Sequence, residues 1–292
     1  PGDAADVLAG EAGSATPEYM AQLRKTFGLD QPLGVQLLLY VKQIVSLDLG
    51  FSFRHGLPVA ELIASRLMPT LLLMGTVFVV AVGVGVLLGS LAARNLNRWQ
   101  DNLVSSLTVL AYATPVFWAG LMLIVVFSIH LGWFPTSGMQ KVAAFYEGFD
   151  KVRDIAHHLV LPAVTLTLFY LALYTRLMRA SVLEQVSMDY VVTARAKGLT
   201  ERQIVRRHVL RNALLPVLTM AGVQIGAVFG GAVVVETVFA WPGLGLLAYE
   251  SLFARDLNLL LGIFFVSTCL VVVVNLLVDL AYSMIDPRIE LR

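Results

Sequence analysis

Long apolar stretches separated by short polar connections dominate the sequence. Five windows of at least 21 residues contain no Asp, Glu, Lys or Arg. An α-helix needs about 20 predominantly apolar residues to cross roughly 30 Å of hydrocarbon. Each window therefore predicts one transmembrane helix, and the predicted spans are about 67–93, 103–130, 157–183, 213–237 and 257–283.

Composition supports a membrane protein. The chain is 58% hydrophobic and only 14% charged, and its mean hydropathy is +0.77, which is too apolar for an ordinary soluble domain. The net charge of +1 gives no indication of a nucleic-acid partner. A single cysteine, Cys269 within an apolar run, excludes a disulfide framework or a cysteine metal cluster. The predicted fold class is all-α, a polytopic membrane helical bundle.

The basic residues predict the orientation of the spans. Eight Lys and Arg side chains lie between Arg176 and Asn212, and two lie in the turn 94–102, whereas the connection 236–256 has one. Because cytoplasmic loops carry an excess of Lys and Arg, the connections 94–102 and 176–212 are predicted to be cytoplasmic, and the connection 236–256 is predicted to face outward. With five spans, residues 1–66 are then extracytoplasmic and the tail 287–292 is cytoplasmic. Before the first span we expect short helices, one starting at Thr16 and Pro17 and ending at Gly28, and one over 33–47.

The predicted cytoplasmic loop, residues 184–212, is polar but has helix signals. Ser187 can cap a short helix that runs to Lys197, and Gly198 supplies a left-handed stop. Thr200 and Gln203 have the spacing of a capping box that starts a second helix. In that helix Arg202 with Arg206, and Arg207 with Arg211, predict two basic ridges at i, i+4 spacing. The pattern fits a docking element and, equally, ordinary positive-inside anchoring.

A resemblance favours docking. The loop DYVVTARAKGLTERQIVRRHVLRNALLP resembles that of bacterial ABC importer permeases of the oligopeptide/dipeptide (peptide/nickel) transport family, of the first-permease type. PGD, DLGFS, RLMPTLLL, ATPVFWAGL, LGWFPTSG, ETVFAWPGLGLL and DLAYSMIDPRI resemble other segments of the same family. The general importer loop has Glu-Ala-Ala six residues before its glycine, where this chain has Val192, Thr193 and Ala194, so no role of that glutamate is carried over. The family also has an apolar helix before PGD, so a sixth, N-terminal span is expected outside this sequence.

The resemblance implies a type I permease whose loop docks on a cytoplasmic ATPase. It implies two ATP-binding subunits that use ATP and Mg²⁺, a homologous second permease forming a heterodimer, and a periplasmic or lipid-anchored binding protein. Di- and oligopeptides are the implied cargo in the bacterial inner membrane, with nickel, glutathione or another small solute as alternatives. No cofactor is expected on this chain itself. The residues assigned to docking are Asp189, Tyr190, Thr193, Ala194, Arg195, Ala196, Lys197, Gly198 and Leu199.

A second candidate site lies in the connection predicted to face outward. The segment ETVFAWPGLGLLAYESLF combines a charged residue, aromatic residues and Pro-Gly turns. A gate of the transport path is one interpretation, and an interfacial turn anchored by Trp241 is the equally weighted alternative. The gate residues are predicted to be Glu236, Phe239, Trp241 and Pro242.

Other classes of membrane protein fit less well. The sequence contains neither H-E-x-x-H nor G-x-x-x-x-G-K-[ST], so an intramembrane metalloenzyme is disfavoured and ATP hydrolysis is assigned to partners. No acidic or basic residue is expected in the middle of a span, which disfavours a proton relay and places a secondary transporter well behind. Prolines at or within spans predict kinks, and glycines predict close helix contacts; these are Pro115, Pro162 and Pro216, and glycines 83, 85, 89, 222, 226, 230 and 231.

Overall fold

The structure is a computed structural model that describes residues 30–32, 34–36, 38, 46, 48–52, 54–141 and 144–285. Within its helices, the side chains of 225–231, 278–279 and 281–285 are outside this description. The short helices predicted between Thr16 and residue 47 fall largely outside it, as does the tail 287–292.

Helices make up most of the described chain. A small antiparallel pair, β1 (Phe51–Ser52) and β2 (Leu57–Pro58), precedes the first long helix. The helices that follow are α1 (Val59–Arg94), α2 (Trp99–Ala113), α3 (Val116–Leu123), α4 (Gly148–Val186), α5 (Asp189–Ala196), α6 (Glu201–Ile204), α7 (Leu210–Val238), α8 (Leu244–Phe253) and α9 (Leu257–Ile285). Two π-helical segments, Ile124–His130 and Val205–Val209, extend α3 and join α6 to α7.

The helices run through the predicted spans but with different limits. Among the described residues, three are long and apolar enough to cross a membrane, namely α1, α4 and the part Leu257–Leu277 of α9. The helix α1 starts at Val59, so the predicted boundary at residues 66 and 67 lies inside it. The helix α4 likewise begins at Gly148 rather than near residue 157. The total number of spans stays a prediction.

The second predicted span, 103–130, is not one straight helix. α2 ends at Ala113, and the pair α2 and Val116–His130 is bent by 104°. Thr114 is extended, with ψ at 125°, because a residue that precedes proline is driven out of the helical region by the ring of Pro115. Pro162 and Pro216 lie inside α4 and α7 without ending them.

The larger of two compact units comprises residues 71–241 and 270–292. Its core brings α1 against α4 at two glycines. A Cβ on Gly85 would lie 2.7 Å from the Cβ of Tyr174, and one on Gly89 would lie 2.5 Å from the carbonyl oxygen of Thr175. The predicted close contact is therefore confirmed at these positions, whereas a Cβ on Gly83 would meet no atom within 4 Å. The two glycines let the helix backbones approach as small-xxx-small pairs do.

An ion pair joins α2 to α4 in the same unit. Arg179 donates from Nε to Asp101 Oδ1 at 2.7 Å and from Nη2 to Oδ2 at 2.9 Å. Asp101 also accepts from the backbone N–H of Asn97 at 3.0 Å. The pair fixes the start of α2 beside the end of α4 that leads into the loop 184–212.

The smaller unit takes in described residues up to Thr70 together with 242–269. Its core packs the start of α1 against α8 and the start of α9, with Val59, Leu247 and Leu259 fully or nearly fully buried. The hydroxyl of Ser52 donates to Asp256 at 2.5 Å, and Asp256 also caps α9 by accepting from Leu259 N–H at 3.1 Å. The strand pair is thus tied to the N-terminus of α9.

Candidate functional site

The loop between α4 and α7 contains two short helices with a glycine elbow, as predicted. Gly198 has φ +78°, its N–H bonds to Arg195 O at 2.9 Å, and Leu199 N–H bonds to Ala194 O at 3.3 Å. These two bonds are a Schellman motif, which requires a left-handed residue. The capping box of Thr200 and Gln203 is also confirmed.

The start of the first short helix differs from the prediction. The N-cap of α5 is Met188, which makes no side-chain capping bond, and the helix ends at Ala196 rather than at Lys197. The hydroxyl of Ser187 donates back to Glu184 O at 2.7 Å. Ser187 therefore hydrogen-bonds to the last turn of α4 and does not cap α5.

One face of α5 packs into the larger unit. Val191 is fully buried, Ala194 is 6% exposed, and Ile204 of α6 is fully buried beside them in the same core cluster. Tyr190 is partly buried and its hydroxyl donates to Gln185 Oε1 at 2.9 Å. The small side chain of Ala194, assigned to docking from the sequence, points into the chain's own core. It anchors α5 to the bundle.

The opposite face of α5 is exposed and mixed in character. Val192 has 61% of its surface exposed, and sequence reasoning does not include it among the docking residues. The signal that could have found it is the helical period, because Val192 is out of phase with the buried Val191 and Ala194. Among the residues that were assigned to docking, the exposed ones are Asp189, Thr193, Arg195, Ala196, Lys197 and Gly198.

An ion pair closes the glycine elbow. Arg195 Nε lies 2.5 Å from Glu201 Oε1, and Nη2 lies 3.2 Å from Oε2. Hydrogen bonding to the guanidinium lowers the pKa of Glu201 and raises the pKa of Arg195. Both side chains are exposed, at 47% and 65%, so solvent screens the pair. Lys197, the second basic side chain at the end of α5, is also exposed.

The basic side chains that follow the elbow do not form the two predicted ridges. Residues Val205–Val209 are π-helical, so i, i+4 spacing does not have α-helical geometry across this segment. Arg202, Arg206, Arg207 and Arg211 are nevertheless all exposed. Within the described chain, none of the four has an ion-pair partner. They form a basic surface immediately before α7.

The turn after α7 carries the second candidate site. Trp241 N–H bonds to Glu236 O at 2.8 Å and Ala240 N–H bonds to Thr237 O at 3.3 Å, which is again a Schellman pattern. Here the left-handed position is Ala240, with φ +47°. Phe239 O also accepts from Gly138 N–H at 2.8 Å. The turn is held in a backbone conformation that alanine adopts only at a cost.

The predicted gate residues are mostly buried. Glu236 and Trp241 are fully buried and Phe239 is 1% exposed, whereas Pro242 is partly exposed. Trp241 is therefore a core residue rather than an anchor at the lipid surface, which removes the alternative interpretation. The gate itself stays a prediction.

A charged side chain of α4 lies over an aromatic ring of α2. The Cζ atom of Arg176 is 4.8 Å from the centroid of the Tyr112 ring, and Tyr112 lies eleven residues after Asp101 on α2. At 1.5 Å per residue this is about 16 Å along the helix. Arg176 itself lies three residues from Arg179, about 4.5 Å along α4, near the loop end of the predicted span 157–183, so the expectation of no charge in the middle of a span stays a prediction.

Most of the chain resembles known proteins. Residues 85–291 match the family model of binding-protein-dependent transport system inner membrane components. The oligopeptide transport system permease protein AppB of Bacillus subtilis is 42% identical over 270 residues, covering 92% of this chain and 84% of that protein. The dipeptide transport system permease protein DppB of Escherichia coli is 38% identical, covering 99% of this chain and 90% of that protein.

The fold has solved counterparts. An inward-facing structure of the MetNI methionine ABC transporter aligns with a TM-score of 0.61, covering 77% of this chain and 97% of that one. The sequence identity in this alignment is 18%, so the likeness concerns the fold alone. It supports the all-α membrane bundle predicted from the apolar windows.

Proposed function

Because the chain belongs to the family of binding-protein-dependent transport system inner membrane components, we propose that it is the permease subunit through which an ATP-driven ABC importer moves di- and oligopeptides across the bacterial inner membrane. The peptide cargo is supported by the names of two relatives that match this chain over nearly its whole length. One is named for oligopeptide transport and the other for dipeptide transport, at 42% and 38% identity. Nickel, glutathione or another small solute is the alternative within the same class.

In this proposal the exposed face of α5 meets the ATPase subunit. The inward Val191 and Ala194 hold the helix rigidly on the bundle, and the capping box and the Gly198 elbow fix the helix that follows. A displacement of α5 is then transmitted without being absorbed by loop motion. Val192 supplies an apolar contact at the centre of the face, and Lys197 supplies a donor for a partner carboxylate.

The partners follow from the class. A permease of this kind is not itself the ATPase, so we assign ATP and Mg²⁺ to two separate subunits. A homologous second permease and an extracytoplasmic binding protein complete the importer. We place the gate below the binding protein at Glu236, Phe239, Trp241 and Pro242. The left-handed Ala240 supports this, because backbone strain is retained mainly where function requires it.

The docking role is tested with two matched valines. Val192 on α5 and Val152 at the start of α4 are 61% and 62% exposed, so Val→Glu at either site leaves the core unchanged. The complex with its ATPase and binding protein is reconstituted in lipid, and ATP hydrolysis is measured with and without peptide-loaded binding protein. We expect Val192→Glu to abolish the stimulation and Val152→Glu to retain it. Equal stimulation in both variants contradicts the assignment of α5.

The cargo is tested by uptake into the same vesicles. Radiolabelled trialanine should accumulate in an ATP-dependent manner and be displaced by other short peptides. Uptake of Ni²⁺ or glutathione without peptide competition would replace the peptide assignment by that solute. ATP-independent uptake driven by an ion gradient would favour a secondary transporter instead.

A further inference from the structure

Arg176 is a charged side chain that lies outside the docking loop 184–212 and has no part in the proposed docking. It lies on α4, ten residues before the helix ends at Val186, and it is exposed. Its contact in the described chain is the ring of Tyr112, which is itself 48% exposed. Phe169 stacks on Tyr112 with ring centroids 5.1 Å apart and planes 18° apart. The stacked rings form a platform that holds the cation in place.

The neighbouring charges do not neutralise Arg176. Asp101, the carboxylate between α2 and α4, is engaged in a bidentate pair with Arg179. No carboxylate of the described residues forms an ion pair with Arg176. Ionisable side chains within membrane spans face a water-filled cavity or another charge. Arg176 therefore needs water or an anion beside it in the assembled protein.

The exposed part of α2 beside Tyr112 is mixed in character. Asn102, Ser106, Val109 and Ala113 are exposed there, about 60–120° around the helix from Tyr112 at 100° per residue. A different face carries Leu103, Leu107 and Leu110, which line an apolar cavity of about 670 Å³. Phe169, which stacks on Tyr112, also lines this cavity, so the aromatic platform of Arg176 borders an apolar space.

We propose that Arg176, held over the Tyr112 ring, is a transient binding site for the carboxylate group of the transported peptide. This inference rests on the proposed peptide cargo. The aromatic ring occupies one side of the cation, and the N–H donors of the guanidinium are arranged to hold a carboxylate by two parallel hydrogen bonds. The bond forms and breaks during passage, and no covalent step is involved.

The test compares a peptide that has the carboxylate with one that lacks it. Initial ATP-dependent uptake of trialanine and of trialanine amide is measured for wild type, Arg176→Gln and Arg176→Lys in vesicles with the complete importer. Each variant-to-wild-type ratio is taken for one peptide, so the preference of the binding protein cancels. Arg153→Gln is the matched control, because Arg153 is an exposed arginine of the same helix.

We expect Arg176→Gln to lower trialanine uptake at least tenfold and amide uptake less than twofold. Arg176→Lys keeps the charge but loses the bidentate geometry, so the acid-to-amide ratio should fall at least threefold. Arg153→Gln should leave both peptides unaffected. Stimulation of ATP hydrolysis by loaded binding protein should persist in all variants, which shows that the importer still assembles.

Other outcomes overturn the inference. Equal loss for both peptides would mean that Arg176 pairs with a carboxylate of the second permease or supports the fold. Retained trialanine uptake in Arg176→Gln would exclude the site while leaving the peptide importer intact. If the glutamine variant does not assemble, an unchanged acid-to-amide ratio in Arg176→Lys overturns the site. Absence of peptide uptake by the wild type would remove the proposed function and this site together.

Discussion

Removing the charge of Arg179 from its ion pair with Asp101 should destabilise the bundle more than removing the charge of Asp101. The side chain of Asp101 is 3% exposed and that of Arg179 is 30% exposed. Removing one partner of a buried pair costs about 3–5 kcal/mol, because the other charge is left buried. Arg179→Gln leaves the carboxylate in that position, still accepting from the Asn97 N–H at 3.0 Å. We therefore expect a loss near the lower limit, about 3 kcal/mol.

The opposite substitution should cost less. Asp101→Asn leaves a guanidinium that is partly exposed and long enough to turn its head toward water, and the amide oxygen of asparagine still accepts a hydrogen bond. We expect about 1.5–2 kcal/mol, at the lower end of the range for a hydrogen bond to a charged group. The double variant leaves no buried charge, so its loss should be smaller than the sum of the two single losses.

The assay is the unfolding free energy of the purified chain in mixed micelles, from helical circular dichroism during titration with a denaturing detergent. Arg153→Gln provides the control for loss of an exposed arginine. Equal losses for the two single variants would refute the reasoning from unequal burial. Strict additivity in the double variant would show that Asp101 and Arg179 do not act as a pair.

Three further changes probe the packing and the loop, and each is measured by the same unfolding titration. Gly89→Ala should cost about 1–3 kcal/mol because its Cβ would meet a backbone oxygen at 2.5 Å, whereas Gly83→Ala, in open space, should be neutral or stabilising by up to about 1 kcal/mol; equal effects would contradict the close approach of α1 and α4. Ala240→Gly should stabilise by about 1 kcal/mol because it relieves φ +47°, and destabilisation would contradict the strain. Arg195 lowers the pKa of Glu201 from 4.5, so any stability from the pair is present above pH 4.5 and is lost as pH falls through the folded-state pKa; the difference between wild type and Glu201→Gln should shrink in acid, and a difference that grows there would contradict this sign.

Local signals made the loop predictable from sequence. The elbow at Gly198 and the capping box at Thr200 depend on residues within four positions of each other, so the sequence contains nearly all the information needed. Ala240 occupies the same left-handed position of the same motif at the end of α7. The sequence has no glycine there to predict the motif. The packing of the buried Trp241 and Phe239 holds Ala240 in a conformation that alanine disfavours.

Contacts between distant residues were not predictable in the same way. Asp101 and Arg179 are 78 positions apart, and the windows of apolar residues placed both at the ends of spans without indicating that they meet. A kink was predicted at Pro115, but not that the helix would end before it and turn by 104°. The same residue type remains inside α4 at Pro162 and inside α7 at Pro216, so proline alone does not decide between a kink and a break. What differs at Pro115 is the extended Thr114 before it.

These contacts bear on how the loop could move the bundle. The α5 helix is anchored through Val191 and Ala194, and residues from Glu201 to Val238 continue as one helical rod through the π-helical segment. On the other side of the loop, Arg179 ties the end of α4 to α2 at Asp101. A force on α5 is therefore delivered to three elements at once: α7 through the rod, α4 through the chain and α2 through the ion pair. Arg176 lies one turn of α4 beyond that ion pair, so the same motion would shift the cation relative to the Tyr112 ring. Docking and cargo release would then be coupled through α4, which is why substitution at Asp101 should alter transport as well as stability.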